Sequence, residues 1–145
     1  MQLSWEQFQL VINKKLRYNQ LLLVISIVLA VIFFFVQREN LLWSGYFLLI
    51  GSLSLPNINR CKEDIELFKN NRFASETGKV LDVFPEKEGG SNWIIFLETD
   101  SSTNKKDQLL EFVVPAEPGV KETQVVTVHY TPKMSIPVRI DLEEE

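Results

Sequence analysis

The chain has 145 residues, a net charge of −4, one cysteine and one histidine, and is 46 % hydrophobic. A lone cysteine excludes an internal disulfide, and a lone histidine leaves no His/Cys set for a zinc site. Residues 74–145 hold fourteen acidic against seven basic residues, which argues against nucleic acid, whose phosphates want a basic face.

Taken in chain order, the first element is an amphipathic segment over residues 1–17. Trp5, Phe8, Ile12 and Leu16 recur at helical spacing, with Glu6, Gln9, Asn13 and Lys14 elsewhere on the wheel. Such a stripe suits a helix lying in a membrane interface, or one that docks on a partner membrane protein.

Two apolar runs follow, residues 21–36 and 41–55, separated by Gln37, Arg38, Glu39 and Asn40. The first carries one polar side chain, Ser26; with Tyr18, Asn19 and Gln20 it reaches a credible span. The second is softer, and Ser44, Gly45, Gly51 and Ser52 would let two helix backbones approach closely. Residues 18–56 therefore read as a two-span transmembrane hairpin, antiparallel because the link is short. The rival readings are a cleaved signal peptide, or one span plus a buried helix. No small-residue cleavage site follows the first run, which weakens the former. Lys14, Lys15, Arg17, Arg60 and Lys62 flank the runs on the outer sides, against Arg38 in the link. That bias places both termini in the cytoplasm, at a bacterial inner membrane or its equivalent.

Residues 57–73 read as a connector helix. Pro56 closes the apolar run, Asn57 or Asn59 can cap, and Cys61, Ile65 and Phe68 share a face until Asn70 and Asn71 end it. Cys61, just past the second run, is an inert thiol or a palmitoylation site. From residue 74 to 142 the pattern changes to five short extended runs, 76–84, 92–99, 108–114, 124–130 and 137–142, broken by turn residues. In the second, Trp93, Ile95 and Leu97 alternate with Ile94, Phe96 and Glu98, so both faces are largely apolar. Five antiparallel strands in so few residues suit a small SH3-like or OB-like barrel, cytoplasmic here. Residues 143–145 form an acidic tail. The expected fold is thus an α+β membrane protein: transmembrane hairpin, connector helix, five-stranded barrel.

Gly78-Lys79-Val80, the apolar run Trp93-Ile94-Ile95-Phe96, and Val126-Thr127-Val128-His129-Tyr130-Thr131-Pro132 with the closing Pro137-Val138-Arg139-Ile140-Asp141 are also a pattern in their own right. Residues 78–141 resemble a bacterial family of membrane-tethered small β domains of uncharacterised function. The family runs G-x-V, a strand, V-x-V-x-Y-x-P and a closing strand. The double span and the polar stretch 100–107 depart from it. The resemblance implies the β fold and a membrane tether, and no activity.

Catalytic chemistry is not legible. No G-x-S-x-G frames a serine, and Gly89-Gly90 lacks the G-K-[ST] of a phosphate loop. Glu98, Asp100 and Asp107 match no calcium loop. The expected function is a non-catalytic accessory or assembly subunit of a larger membrane complex, without cofactor or metal. Its contact residues would be Trp5, Phe8, Trp93, Ile94 and Phe96. The alternative is a sensing domain that binds a metabolite or nucleotide among Lys79, His129, Tyr130 and Arg139 and alters hairpin packing.

Overall fold

The computed structural model describes residues 1–38, 40–99 and 108–143. They form two compact units, Gln9–Glu66 on one hand and Met1–Phe8 with Leu67–Glu145 on the other.

The helical unit corrects the expectation of a two-span hairpin over residues 18–56. One helix, α1 (Trp5–Val36), is long and apolar enough to cross a membrane, and only 17 % of its most apolar window is covered by the chain itself. No glycine or proline interrupts it, so residues 9–17 are helical together with the apolar run. By contrast α2 (Leu42–Ser52) stops after 11 residues, about 16 Å of rise against the ~30 Å of a hydrocarbon core. The multi-pass reading falls with it.

Proline decides where α2 stops. Pro56 has no N–H to offer the carbonyl four residues back, that of Ser52, and its ring crowds that carbonyl. Ser52 accordingly ends α2, and its hydroxyl donates to Leu49 O at 2.7 Å. Leu53 keeps helical angles, and α3 (Ser54–Lys69) resumes at once with Pro56 in its first turn, where a missing N–H is harmless. The pair is one bent helix folded back along α1. Asn57 Nδ2 donates to Asn19 Oδ1 at 3.4 Å, and Phe33 packs on Phe47 with ring centroids 5.2 Å apart.

Small residues line the contact. Ser26 and Ala30 of α1 are buried, as are Ser44 and Gly51 of α2. A Cβ on Gly51 would sit 2.9 Å from Ser26 Cβ, so the helices approach there because no side chain intervenes. Gly45 and Ser52 lie on the outer side, exposed. Lower down, Ile12, Ile58 and Cys61 are buried, and burial pushes the Cys61 thiol up.

The second unit is a single antiparallel sheet of β1 (Ala74–Pro85), β2 (Trp93–Thr99), β3 (Gln108–Val114), β4 (Val125–Tyr130) and β5 (Pro137–Leu142), in the order β3-β2-β1-β4-β5. Among the described residues β3 and β5 are not hydrogen-bonded to each other, so the expected barrel does not close. The sheet bends far enough for these two edges to approach within 8 Å between Cα atoms. A bulge between Val80 and Asp82 in β1 contributes to that bend. The concave face holds the core: Val80, Ile95, Leu97, Phe112, Val114, Val126, Val128 and Ile140.

The β5 edge is covered by the start of the chain. Leu3 N–H donates to Val138 O at 2.7 Å and Ile140 N–H to Met1 O at 2.8 Å. Ser4 then caps α1 in a reciprocal box: Gln7 N–H donates to Ser4 Oγ (3.3 Å) and Ser4 N–H to Gln7 Oε1 (3.0 Å). Phe8 stacks on Phe68 at 4.2 Å, with Trp5 against both rings and Phe73 edge-on to Phe68. Past Lys69 the helix closes with Arg72 N–H on Leu67 O (2.9 Å) and Asn71 N–H on Phe68 O (3.1 Å), with Asn71 left-handed at φ 51. That is the six-to-one and five-to-two pattern which an αL residue permits.

Candidate interaction surface

Strand alternation sends Ile95, Leu97 and Thr99 of β2 into the core and Ile94, Phe96 and Glu98 to the convex face. In β3 the convex set is Leu109, Glu111 and Val113. Register then places Ile94 opposite Val113 on one side and Phe84 of β1 on the other, and Phe96 between Glu111 and Asp82. Phe84 and Phe96 meet with ring centroids 5.9 Å apart.

The result is a contiguous apolar patch on the solvent side: Phe84 (37 % exposed), Ile94, Phe96, Val113 (43 %) and Leu109 (59 %). Carboxylates interleave it, since Asp82 and Glu111 flank Phe96 and Glu98 faces Leu109. Ile94 and Phe96 are half-buried there, and Phe84, Val113 and Leu109 are exposed.

The five expected contact residues divide among three places. Ile94 and Phe96 lie in the patch. Trp93 belongs to the opposite face of β2, half-buried beside Val114 and Pro85. Trp5 and Phe8 belong to the aromatic cluster with Phe68, where Phe8 is fully buried and offers nothing to a partner. Lys69 lies over the Trp5 ring at 5.6 Å. Phe84, Val113 and Leu109 escaped the sequence reading. Alternation in β3 separates 109, 111 and 113 from 110, 112 and 114, but two apolar faces do not say which meets solvent.

The other half of the convex face is polar. Thr77 and Thr127 share a hydrogen bond of 2.7 Å, His129 Nε2 lies 3.2 Å from Asp141 Oδ2, and Arg139 Nε donates to Asp141 Oδ1 at 2.6 Å. Lys79, His129 and Arg139 share this side. Tyr130 does not: it packs on Phe112 of the core at 5.2 Å, and burial raises its hydroxyl pKa, with Glu76 adding to the shift. An open depression of about 620 Å³ runs along β5 and the N-terminus, and of the four ligand candidates only Arg139 lines it. The four therefore do not converge on a pocket.

Hydrogen bonding from Arg139, assisted by His129, holds the Asp141 carboxyl below its ordinary value. A depressed carboxylate contributes stability that is present above its unfolded pKa and lost as pH falls through the folded one. The titration midpoint of Asp141, followed by NMR, should lie below that of an ordinary aspartate and rise in Arg139→Gln. An unchanged midpoint would show that the Arg139 contact is idle in solution.

Among the described residues no three His, Cys, Asp or Glu side chains gather to hold a metal ion. Asp100 and Asp107 lie outside the described residues; Glu98 is exposed on the convex face. Comparison of the chain with protein-family models, curated proteins and solved structures finds no match.

Proposed function

We propose that this protein is a membrane-anchored, non-catalytic accessory or assembly subunit, whose β domain docks on a larger membrane protein complex through its convex face. The carrying observation is the patch of Phe84, Ile94, Phe96, Val113 and Leu109, exposed or half-buried on the face opposite the core. Anchoring is supported by α1, whose apolar half exposes Leu21, Val24, Val28, Val31, Ile32 and Phe35. Those side chains need a nonpolar medium that the chain itself does not supply. The basic residues beside the apolar run support a cytoplasmic β domain. The sensing alternative lacks a converging set of polar groups to support it.

Affinity purification of the full-length protein from its native membrane in mild detergent tests the reading. Wild type should bring down a stoichiometric larger complex. Ile94→Asn with Phe96→Lys should release it while changing unfolding stability by no more than surface substitutions cause, about 0.5 kcal/mol each. Recovery of wild type alone, or unchanged co-purification of the double variant, would sink the proposal.

A further inference from the structure

Two helices bring cations to one level of the helical unit. Lys14, Lys15 and Arg17 of α1 and Arg60 and Lys62 of α3 are all exposed. The Asn57–Asn19 hydrogen bond holds the helices side by side there, and the charge of Lys15 reaches the Cys61 thiol of α3, opposing the effect of its burial. Between residues 7 and 62 the sequence has a single acidic residue, Glu39, in the link at the other end of the apolar runs. Acidic side chains resume only at Glu63.

Axial spacing gives the collar its meaning. Arg17 precedes Leu21 by about 6 Å of helix and Lys14 by about 10 Å, and the Asn57–Asn19 bond sets the stretch of α3 with Arg60 and Lys62 beside them. A headgroup layer lies about 5–8 Å beyond the hydrocarbon on each side of a bilayer. Flexible lysine and arginine stems bridge the remainder. Exposed Tyr18 stands at the boundary, where aromatic rings favour the interface.

We propose that Lys14, Lys15, Arg17, Arg60 and Lys62 form one binding surface for the anionic headgroups of a phospholipid leaflet. The proposal rests on the reading of α1 as the membrane anchor. Cations drawn from two helices enclose headgroups from both sides, so the surface selects charge and also fixes the depth at which the helical unit sits. The acidic sequence after residue 74 is repelled by the same leaflet.

Full-length protein reconstituted in phosphatidylcholine vesicles with about one-third phosphatidylglycerol provides the test. Spin-labelled forms of the two lipids report by electron paramagnetic resonance which one the protein immobilises. Phosphatidylglycerol should be preferred about five-fold for each cation that faces a headgroup. The preference should collapse at about 0.5 M salt, where screening shortens to a few ångström. It should also collapse in the variant with all five cations changed to glutamine, and survive Lys14→Arg with Lys15→Arg and Arg17→Lys. Equal immobilisation of both lipids by wild type at low salt, with the protein still retained after carbonate extraction, overturns the proposal alone. Release of wild type into the carbonate supernatant overturns the anchoring reading and the proposal with it.

Discussion

Alanine at position 78 should destabilise the β domain by about 1–3 kcal/mol, the range for forcing atoms into a filled space. Gly78 sits in β1, the central strand, opposite Val126 of β4 and next to the Lys79↔Glu98 pair that joins β1 to β2. A Cβ there would lie 2.7 Å from the backbone oxygen of Glu98 and 3.1 Å from Thr99 Cγ2. A flexible side chain would swing aside, but a carbonyl in the ladder moves only if the register around it opens. Each kcal/mol lowers the melting temperature of a domain this size by about 4–8 °C. Gly45→Ala is the matched control, because a Cβ at that helical position meets nothing within 4 Å. It should be neutral, or stabilising by up to about 1 kcal/mol through helix propensity. Equal melting of the Gly78 variant and wild type would show that β1 and β2 are farther apart than described.

The second large effect is expected from Phe8→Ala. Phe8 is fully buried and stacked at 4.2 Å and 14° on Phe68, with Trp5 5.9 Å away. Truncating a phenylalanine in such a place costs about 3–5 kcal/mol. The loss should spread to the strand pairing beside it. Residues 1–3 lie on β5 through Leu3 N–H to Val138 O and Ile140 N–H to Met1 O, and the capping box of Ser4 and Gln7 ties that segment to the first turn of α1. Amide exchange at Leu3 and Ile140 should therefore accelerate well before exchange at Val128 in the middle of the sheet. Phe8→Leu, which keeps most of the volume, should retain protection at all three. Unaltered protection of Leu3 and Ile140 in the alanine variant would mean that the aromatic cluster and the N-terminal pairing are independent.

Some of these features were legible in the residues. The five strands lie within two residues of the runs marked by alternation and turn residues, because period-2 patterning and Pro, Gly and Asn punctuation are local properties. Asn70 and Asn71 announced the end of α3 for the same reason: asparagine tolerates the left-handed angle a closing helix needs. Ile94 and Phe96 were legible as apolar residues on the second face of a strand.

Other features were not legible from composition and periodicity alone. Residues 41–55 have the composition of a span, yet α2 ends at Ser52, because a proline four residues later withholds a hydrogen bond. Trp5 and Phe8 form an amphipathic stripe whether the cover is lipid, partner or this chain. That Phe68 covers them depends on a contact sixty residues away in sequence.

The sequence by itself determined where the strands lie, where charge changes sign, and that residues 21–36 form an apolar run; each follows from neighbouring side chains alone. Pro56, a local feature, cuts the second apolar run short; tertiary structure decided that Ser44 and Gly51 of α2 are buried beside Ser26 and Ala30 of α1. It also decided that the sheet stays open with its β5 edge covered by residues 1–3, and that Phe84, Val113 and Leu109 join Ile94 and Phe96 on the convex face. Those outcomes depend on register, on the bulge at Val80/Asp82 and on which side of a two-faced strand is covered. Contacts between residues far apart in the chain settle all three.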